Sequence, residues 1–559
     1  MYPGAATGPF TTTIHFCYDC IVRVSVRLTI EGPVLAVDVD KSPQYEVAII
    51  GAGPGGIAAA YKLRQRGITD VVILERGHDF GGTWRDNHYP GLAVDIPILW
   101  YQLSFARNPR WSRLFAPGPE IYRYLTDTAR RCGLYPLLRP NCEVLTQRWD
   151  AGNALWHLTI RDHEPVTARF VISSVGGYIN ARPTSDLPGL GEFTGKVLRP
   201  NAWDDDYDTR DKRVAVIGTG SSGAQIVSAL SGHVATLDVY QRTPNWILPR
   251  PDFAIAPVWQ TLLRVPGVAA GLHNLGRAVF DLFLLIPIVH LMARVPDDAL
   301  ARLLNAYDAA TRFAYRALLR AVVHDHSTRR QLLPSHGILA KRPIISSSYL
   351  PAFNHPDTQL ITTPIERITA TGVRTVDGMD RPADLIVTAT GYELWTDPET
   401  YRRGTVLGSD GFDLADDYRD NGLRSYGGTA HPKLPNRWEI VGPLAFVGVG
   451  WTDFVETMAE HAVRVIEAAR SRGADVVAVR EAAFEGWTAR MRAAGKAPRL
   501  YYTRCNADVH SYYVNSHGDT VYHRPQTIAG SLRFAYRPPL RDYHFERREI
   551  PAAPSRVLS

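Results

Sequence analysis

Val47-Ala48-Ile49-Ile50-Gly51-Ala52-Gly53-Pro54-Gly55-Gly56 is an apolar run delivered into a glycine-rich turn, and the same design returns as Val214-Ala215-Val216-Ile217-Gly218-Thr219-Gly220-Ser221-Ser222-Gly223. Each reads as strand, tight turn and helix start. Glycines at this spacing let the backbone turn sharply and approach a pyrophosphate, which rests on the unpaired N–H groups of the helix N-terminus. Two such turns predict two dinucleotide sites, one on Gly51, Gly53 and Gly56, the other on Gly218, Thr219, Gly220, Ser221, Ser222 and Gly223.

The residue closing the following strand distinguishes them. After the first turn, a helix predicted over 57–66 leads to Val71-Val72-Ile73-Leu74-Glu75, which puts an acid where a ribose 2′-hydroxyl needs an acceptor. That favours FAD, with NAD as the second choice. After the second turn, Leu237-Asp238-Val239-Tyr240-Gln241 runs into Arg242 and Thr243, a cation and a hydroxyl suited to a 2′-phosphate. That favours NADPH.

Alternating strand-like and helix-like segments at 45–75, 168–176, 213–241 and 383–391 predict an α/β fold. It comprises two Rossmann-like dinucleotide-binding domains and a helical insertion. The FAD domain is drawn over 45–181 and 392–545, and the NADP domain over 182–250 and 336–391. The insertion covers 251–335, where apolar residues recur at helical spacing. Residues 1–44, with a strand-like alternation over 20–30, form an extension of unassigned role, and 546–559 a tail.

The 559 residues are 45% hydrophobic and 21% charged, the composition of an ordinary globular protein rather than a disordered or fibrous one. Lys and Arg (62) exceed Asp and Glu (56) only slightly, and no long basic run occurs, so nucleic acid is not implied. Five cysteines make no disulfide framework, and Cys17 and Cys20 form a lone CxxC without a second pair, so no metal is predicted. The His324–Asp325–His326 triplet also lacks further ligands and reads as a solvated helix end. Without a basic start and apolar core at the N-terminus, the reading is cytoplasmic, with no signal peptide. The longest apolar stretch, residues 278–293, contains Asp281, Pro287 and His290 and falls short of the roughly 20 residues of a spanning helix. It reads as a buried helical face, with peripheral membrane contact as the other choice.

Three further stretches carry a resemblance. Gly81-Gly82-Thr83-Trp84-Arg85-Asp86-Asn87-His88-Tyr89-Pro90-Gly91-Leu92-Ala93-Val94-Asp95 resembles the flavin-side motif of the Baeyer–Villiger monooxygenases, the class B flavoprotein monooxygenases. Phe193-Thr194-Gly195-Lys196-Val197-Leu198-Arg199-Pro200-Asn201-Ala202-Trp203-Asp204 resembles their linker motif FxGxxxHxxxWD, with Arg199 in place of histidine. Ala340-Lys341-Arg342-Pro343 resembles the Lys-Arg pair after the helical block, and Ala389-Thr390-Gly391-Tyr392 the second linker. The resemblance covers about residues 45 to 540. Besides Arg199, Ser346-Ser347-Ser348-Tyr349 departs from the more acidic, aromatic stretch common in the family.

The resemblance implies an enzyme using FAD, NADPH and O₂ that inserts one oxygen beside a ketone carbonyl through a peroxyflavin, giving an ester or lactone. It makes Arg342 the catalytic cation and Asp95 the carboxylate that orients it. Lys341 joins Arg242 and Thr243 on the 2′-phosphate; Thr83, Trp84, Tyr101 and Val144 serve the flavin nucleotide; Tyr512 lies by the nicotinamide nucleotide. Leu92, residues 443–446 and Trp451 are drawn as pocket walls. The alternative is an N- or S-oxygenase using the same oxidant. Cys132 and Cys142, ten positions apart, do not support a disulfide reductase. Aliphatic, cyclic and aryl ketones all stay open.

Overall fold

The computed structural model describes residues 43–183 and 187–548; Cys17, Cys20, the alternating stretch 20–30 and the end of the tail lie outside the described residues. The first sheet is built on β1 (Tyr45–Ile50), β2 (Val71–Leu74), β3 (Leu138–Arg139), β4 (Val144–Asp150), β5 (Leu155–Ile160) and β6 (Val166–Ser173). β1 is central and parallel to both β2 and β6, with Val47 opposite Val71 and Phe170. The second sheet is wholly parallel, in the order β10-β9-β8-β11-β7, from β7 (Lys196–Leu198), β8 (Arg213–Ile217), β9 (Thr236–Tyr240), β10 (Thr358–Ile361) and β11 (Leu385–Thr388). Two later strands, β12 (Val406–Leu407) and β13 (Arg437–Glu439), return to the first sheet beside β4 and β6.

Both central strands are apolar on both faces, as a sheet covered by helices requires. Val47 and Ile49 enter one core, Ala48 and Ile50 the opposite one; Val214 and Val216 divide in the same way from Ala215 and Ile217. Fully burying one such side chain contributes about 1.5–3 kcal/mol. The helix after each turn lies over its strand: α1 (Pro54–Gln65) after β1, and α2 (Ser221–Leu230) after β8. α1 starts three residues earlier than the apolar pattern indicates because Pro54 supplies a preset helical φ at its first turn.

Between the second sheet's β9 and β10 the chain is helical, through α3 (Pro257–Leu263), a continuous run α4 (Val268–Arg294) and α5 (Asp297–Val322). The buried-face reading of 278–293 is overturned here. α4 runs 27 residues, long and apolar enough by length and composition to cross a membrane, and only 11% of its most apolar window is buried. Pro287 does not end it, because the helix widens into π-turns at Asp281–Leu285 and Pro287–Leu291, where the missing N–H and the ring are accommodated. α6 (Trp451–Ser471) packs on α1, where Lys62 pairs with Glu460 at 2.9 Å.

Candidate active site

The two turns follow one logic. Gly51 has φ +100°, and a Cβ there would stand 2.5 Å from the Ser174 carbonyl oxygen; Gly218 has φ +110°, and a Cβ would stand 2.3 Å from the Ala389 carbonyl oxygen. In both the third glycine closes on the first: a Cβ on Gly56 would meet Gly51 O at 2.0 Å, and one on Gly223 would meet Gly218 O at 2.1 Å. The chain itself demands these four glycines. The middle ones differ. A Cβ on Gly220 would have nothing within 4 Å, and one on Gly53 only Gly82 Cα at 3.7 Å, while their φ of −74° and −73° suit any residue. The protein itself does not need glycine there, which leaves the backbone open to the close approach of a phosphate. Neither helix has a side-chain cap, so the first-turn N–H groups and the positive end of the dipole face that space. The residues fit dinucleotides at both turns.

Glu75 is 4% exposed. Its Oε2 accepts the Ala52 N–H at 2.7 Å, and its Oε1 accepts the Gly77 N–H at 2.7 Å and faces Arg85 at 3.1 Å. A carboxylate has about four acceptor directions, so one remains on Oε2. At the second turn Arg242 is exposed and Thr243 half-buried. Burial and then the Arg242 charge lower the pKa of Lys341, so the two cations lie together although a whole helical block separates them in sequence. Asn245 donates to Thr219 O at 2.8 Å, holding the strand exit against the turn.

Asp95 and Arg342 come from loops of different sheets and meet, with Asp95 Oδ2 2.7 Å from an Arg342 Nη; their side chains are 25% and 32% exposed. Asp95 raises the guanidinium's pKa well above its ordinary value against the opposing effect of burial, with Tyr178, Tyr512 and Tyr522 adding to the rise. The charge is therefore fixed and oriented, and the guanidinium keeps part of its surface exposed. Trp84 Nε1 donates to Tyr101 OH at 2.9 Å. Thr83 opens the short helix Thr83–Asp86, and its carbonyl accepts from Asn87, whose own side-chain oxygen accepts from Tyr392 OH at 2.8 Å. The Tyr89 hydroxyl reaches Ser222 Oγ at 3.3 Å and Gln225 Oε1 at 3.0 Å on α2, bridging the flavin-side motif to the second turn.

This chain is 36% identical over 433 residues to a Baeyer–Villiger monooxygenase of Pseudomonas aeruginosa, an alignment covering 76% of each chain. The chain belongs to the Baeyer–Villiger monooxygenases. A Baeyer–Villiger monooxygenase of Streptomyces coelicolor is also 36% identical, over 72% of this chain and 74% of its own. The NAD(P)-binding Rossmann-like domain family matches residues 49–117 and the Flavin-binding monooxygenase-like family residues 123–265. The fold agrees with cyclohexanone monooxygenase from Rhodococcus sp. Phi1 bound to NADP⁺, at TM-score 0.76 and 25% identity over 91% of this chain and all of that one. It agrees equally with a steroid monooxygenase bound to NADP, at TM-score 0.77 and 24% identity over 90% and 100%. This Baeyer–Villiger monooxygenase is thus an FAD- and NADPH-dependent enzyme, and its reaction class is insertion of one oxygen beside a carbonyl.

Tyr178, Tyr513, Tyr522 and His523, around Arg342, were not legible as site residues. Tyr178 stands 6.0 Å from Trp451 between ring centroids, Tyr512 5.1 Å from Tyr522, and Phe446 6.5 Å from Trp451. Tyr178, Tyr513 and Tyr522 all sense the Arg342 charge. His523 keeps solvent-accessible surface, yet the protein around it and then Arg342 hold its pKa down to about 4. The only sequence signal is the density of Tyr pairs after residue 500. Of the drawn walls, Phe446 and Trp451 join this cluster, whereas Leu92 packs into the second fold's core. Val144 opens β4, half-buried against the core that holds Ile50 and Leu74. His324 and His326 flank a cap, since Asp325 accepts the Thr328 N–H at 2.6 Å.

Proposed function

We propose that the enzyme oxidises a small-molecule ketone with O₂ to an ester or lactone, and that Arg342 is its catalytic residue and Asp95 the residue that positions it. The 2.7 Å contact between them is the observation that carries this reading. When bound, FAD reduced by NADPH turns O₂ into the oxidant of the carbonyl. Arg342 holds a permanent charge where negative charge builds on the attacked carbonyl oxygen, and a preorganised cation of this kind stabilises without titrating. Asp95 fixes the guanidinium's direction. Tyr178, Tyr512, Tyr522 and Trp451 restrict water around the reacting groups.

In this reading Gly51, Gly53, Gly56, Glu75, Thr83, Trp84, Tyr101 and Val144 hold FAD, with Asp95 at its reactive end. Gly218, Thr219, Gly220, Ser221, Ser222 and Gly223 hold the NADPH pyrophosphate, Arg242, Thr243 and Lys341 its 2′-phosphate, and Tyr512 its nicotinamide end. The FAD domain is 45–181 with 392–545, and the NADP domain 182–250 with 336–391. The return of β12 and β13 to the first sheet supports that division. The three described cysteines are free, which suits the reducing cytoplasm we assign to it.

Arg342→Ala tests the reading. Ketone oxidation should fall by about 10²–10³-fold, the loss of one preorganised charge-stabilising group, while FAD content stays unchanged. Undiminished ketone turnover would overturn it, and a sulfide or amine oxidation that outlasts the lost ketone activity would move the enzyme to the heteroatom reading.

A further inference from the structure

α4 is built inside out for a helix in water. Leu272, Leu275, Val279, Leu282, Phe283 and Ile286 recur at helical spacing and all face outward, Phe283 at 74% and Leu275 at 61% exposure. Three of its polar residues, His273, Arg277 and Asp281, face the protein. His273 Nδ1 lies 3.2 Å from Leu99 O, Arg277 Nε donates to Asp453 Oδ1 at 2.9 Å, and Asp281 accepts the N–H groups of Ile528 and Ala529 at 2.6 and 3.0 Å. A surface helix of a globular protein has the opposite pattern. α3 adds exposed Val258, Trp259 and Leu262, with Val265 just beyond it, and an indole at such an edge is suited to an interface that is apolar on one side and wet on the other.

The unpaired charge around this face has one sign; just beyond Arg294, Asp297 and Asp298 are paired with Lys496 and Arg504. Between residues 251 and 294 the only carboxylates are Asp252 and Asp281. Asp252 is engaged by Arg113 at 2.9 Å, and Asp281 caps the helix Ile528–Tyr536. Arg264 and Arg294, at the two ends of the face, are exposed and have no ion-pair partner among the described residues. An apolar stripe flanked by free cations matches an anionic lipid surface, where side chains enter the acyl boundary and guanidinium groups meet headgroups.

We propose that α3 and α4 form a monotopic membrane-docking surface that lies on, rather than crosses, a bilayer containing anionic lipid. The inward bonds of His273, Arg277 and Asp281 hold α4 to the body of the enzyme, so it lies in the interface plane. The same bonds connect it to the site: Asp453 stands two residues beyond Trp451, and a Cβ on Gly276 would meet the Trp100 ring nitrogen at 2.4 Å, next to Tyr101. A docked α4 therefore abuts the wall of the site. The proposal does not depend on which carbonyl compound the enzyme oxidises.

Flotation of the FAD-loaded full chain with vesicles of phosphatidylcholine, with and without 30% phosphatidylglycerol, tests it. The wild type should float with the anionic vesicles and several-fold less with the neutral ones. Leu275→Glu/Phe283→Glu should lower the floating fraction at least tenfold, and Arg264→Glu/Arg294→Glu should abolish the preference for anionic lipid. Both variants should keep their flavin spectrum and NADPH oxidation, which separates lost docking from lost folding. A wild type that stays with the lipid-free fraction, or a Leu275→Glu/Phe283→Glu variant that floats undiminished, would overturn the proposal. So would a concentration-dependent dimer that this variant abolishes without any vesicle binding, since the face would then belong to a second copy.

Discussion

At Gly51 the first turn backs onto Ser174 at the end of β6, and at Gly218 the second backs onto Ala389 at the end of β11; up to this point the two nucleotide folds are alike. They part at the residue that closes the next strand. Glu75 is buried and already bonded to Ala52, Gly77 and Arg85, so the first site is electrostatically complete as the protein folds. Arg242 and Lys341 face each other without an anion, and their mutual repulsion is part of what lowers the lysine pKa. In the proposed reading, a 2′-phosphate would offset that repulsion. The first closing residue is thus held by the protein's own groups, whereas the second pair consists of like charges.

The sharpest way to break this comparison is at the first glycine of each turn. Gly51→Ala and Gly218→Ala each force a Cβ into a left-handed conformation and against a carbonyl oxygen, costing about 2–5 kcal/mol. Calorimetry should show both destabilised, but purified Gly51→Ala should have lost FAD whereas Gly218→Ala should keep its yellow colour and lose response to NADPH. Equal FAD loss in both would erase the distinction. Next in size, Arg242→Ala/Lys341→Ala should raise KM for NADPH about 100-fold, the value of roughly two charge-assisted contacts, with KM for NADH unchanged.

Smaller effects follow at the middle glycines. Gly53→Ala and Gly220→Ala leave the protein room for the methyl group, so melting temperatures should move little while affinity for FAD and NADPH respectively drops about tenfold. A large loss of stability in Gly220→Ala would show that the protein, not the nucleotide, requires that glycine. A pH profile sharpens the contrast further. Because the Lys341 pKa lies below its ordinary value, the ammonium and its hold on phosphate are present at lower pH and are lost as pH rises through that depressed value. KM for NADPH should climb on the alkaline side, and Arg242→Gln should shift the climb to higher pH. The smallest effect concerns the linker. Arg199 stands half-buried at the position where the resembled linker motif has histidine, and Arg199→His should raise product formed per NADPH consumed; an unchanged ratio would leave Arg199 without a part in coupling the two sites.

How much of this could be read from sequence depended on distance along the chain. The glycine turns, Glu75 and Arg242 are local, because a strand, a turn and the next strand lie within about thirty residues, and the physical needs of one ligand are written consecutively. The Asp95 and Arg342 pair became legible only through family resemblance, since nothing in spacing brings residue 95 to residue 342. Tyr178, Tyr522 and His523 escaped altogether; each alone has the look of a core aromatic, and only the return of the C-terminal segment gathers them. The error at α4 is of another kind. Val279, Leu282 and Ile286 do announce an apolar face, but periodicity gives a face without saying what covers it, and the stretch read over 278–293 is part of a longer helix that begins at Val268.

Tyr89 and Gly91 have a mechanical consequence. Tyr89 reaches α2 through Ser222 and Gln225, Gln225 Nε2 donates back to Ala93 O at 3.0 Å, and a Cβ on Gly91 would stand 2.8 Å from Gln225 O. This joint has no slack. While it holds, the flavin-side motif and the start of α2 stay in register, so Gln225→Ala should loosen the seam between the two nucleotide folds, read as less product formed per NADPH consumed.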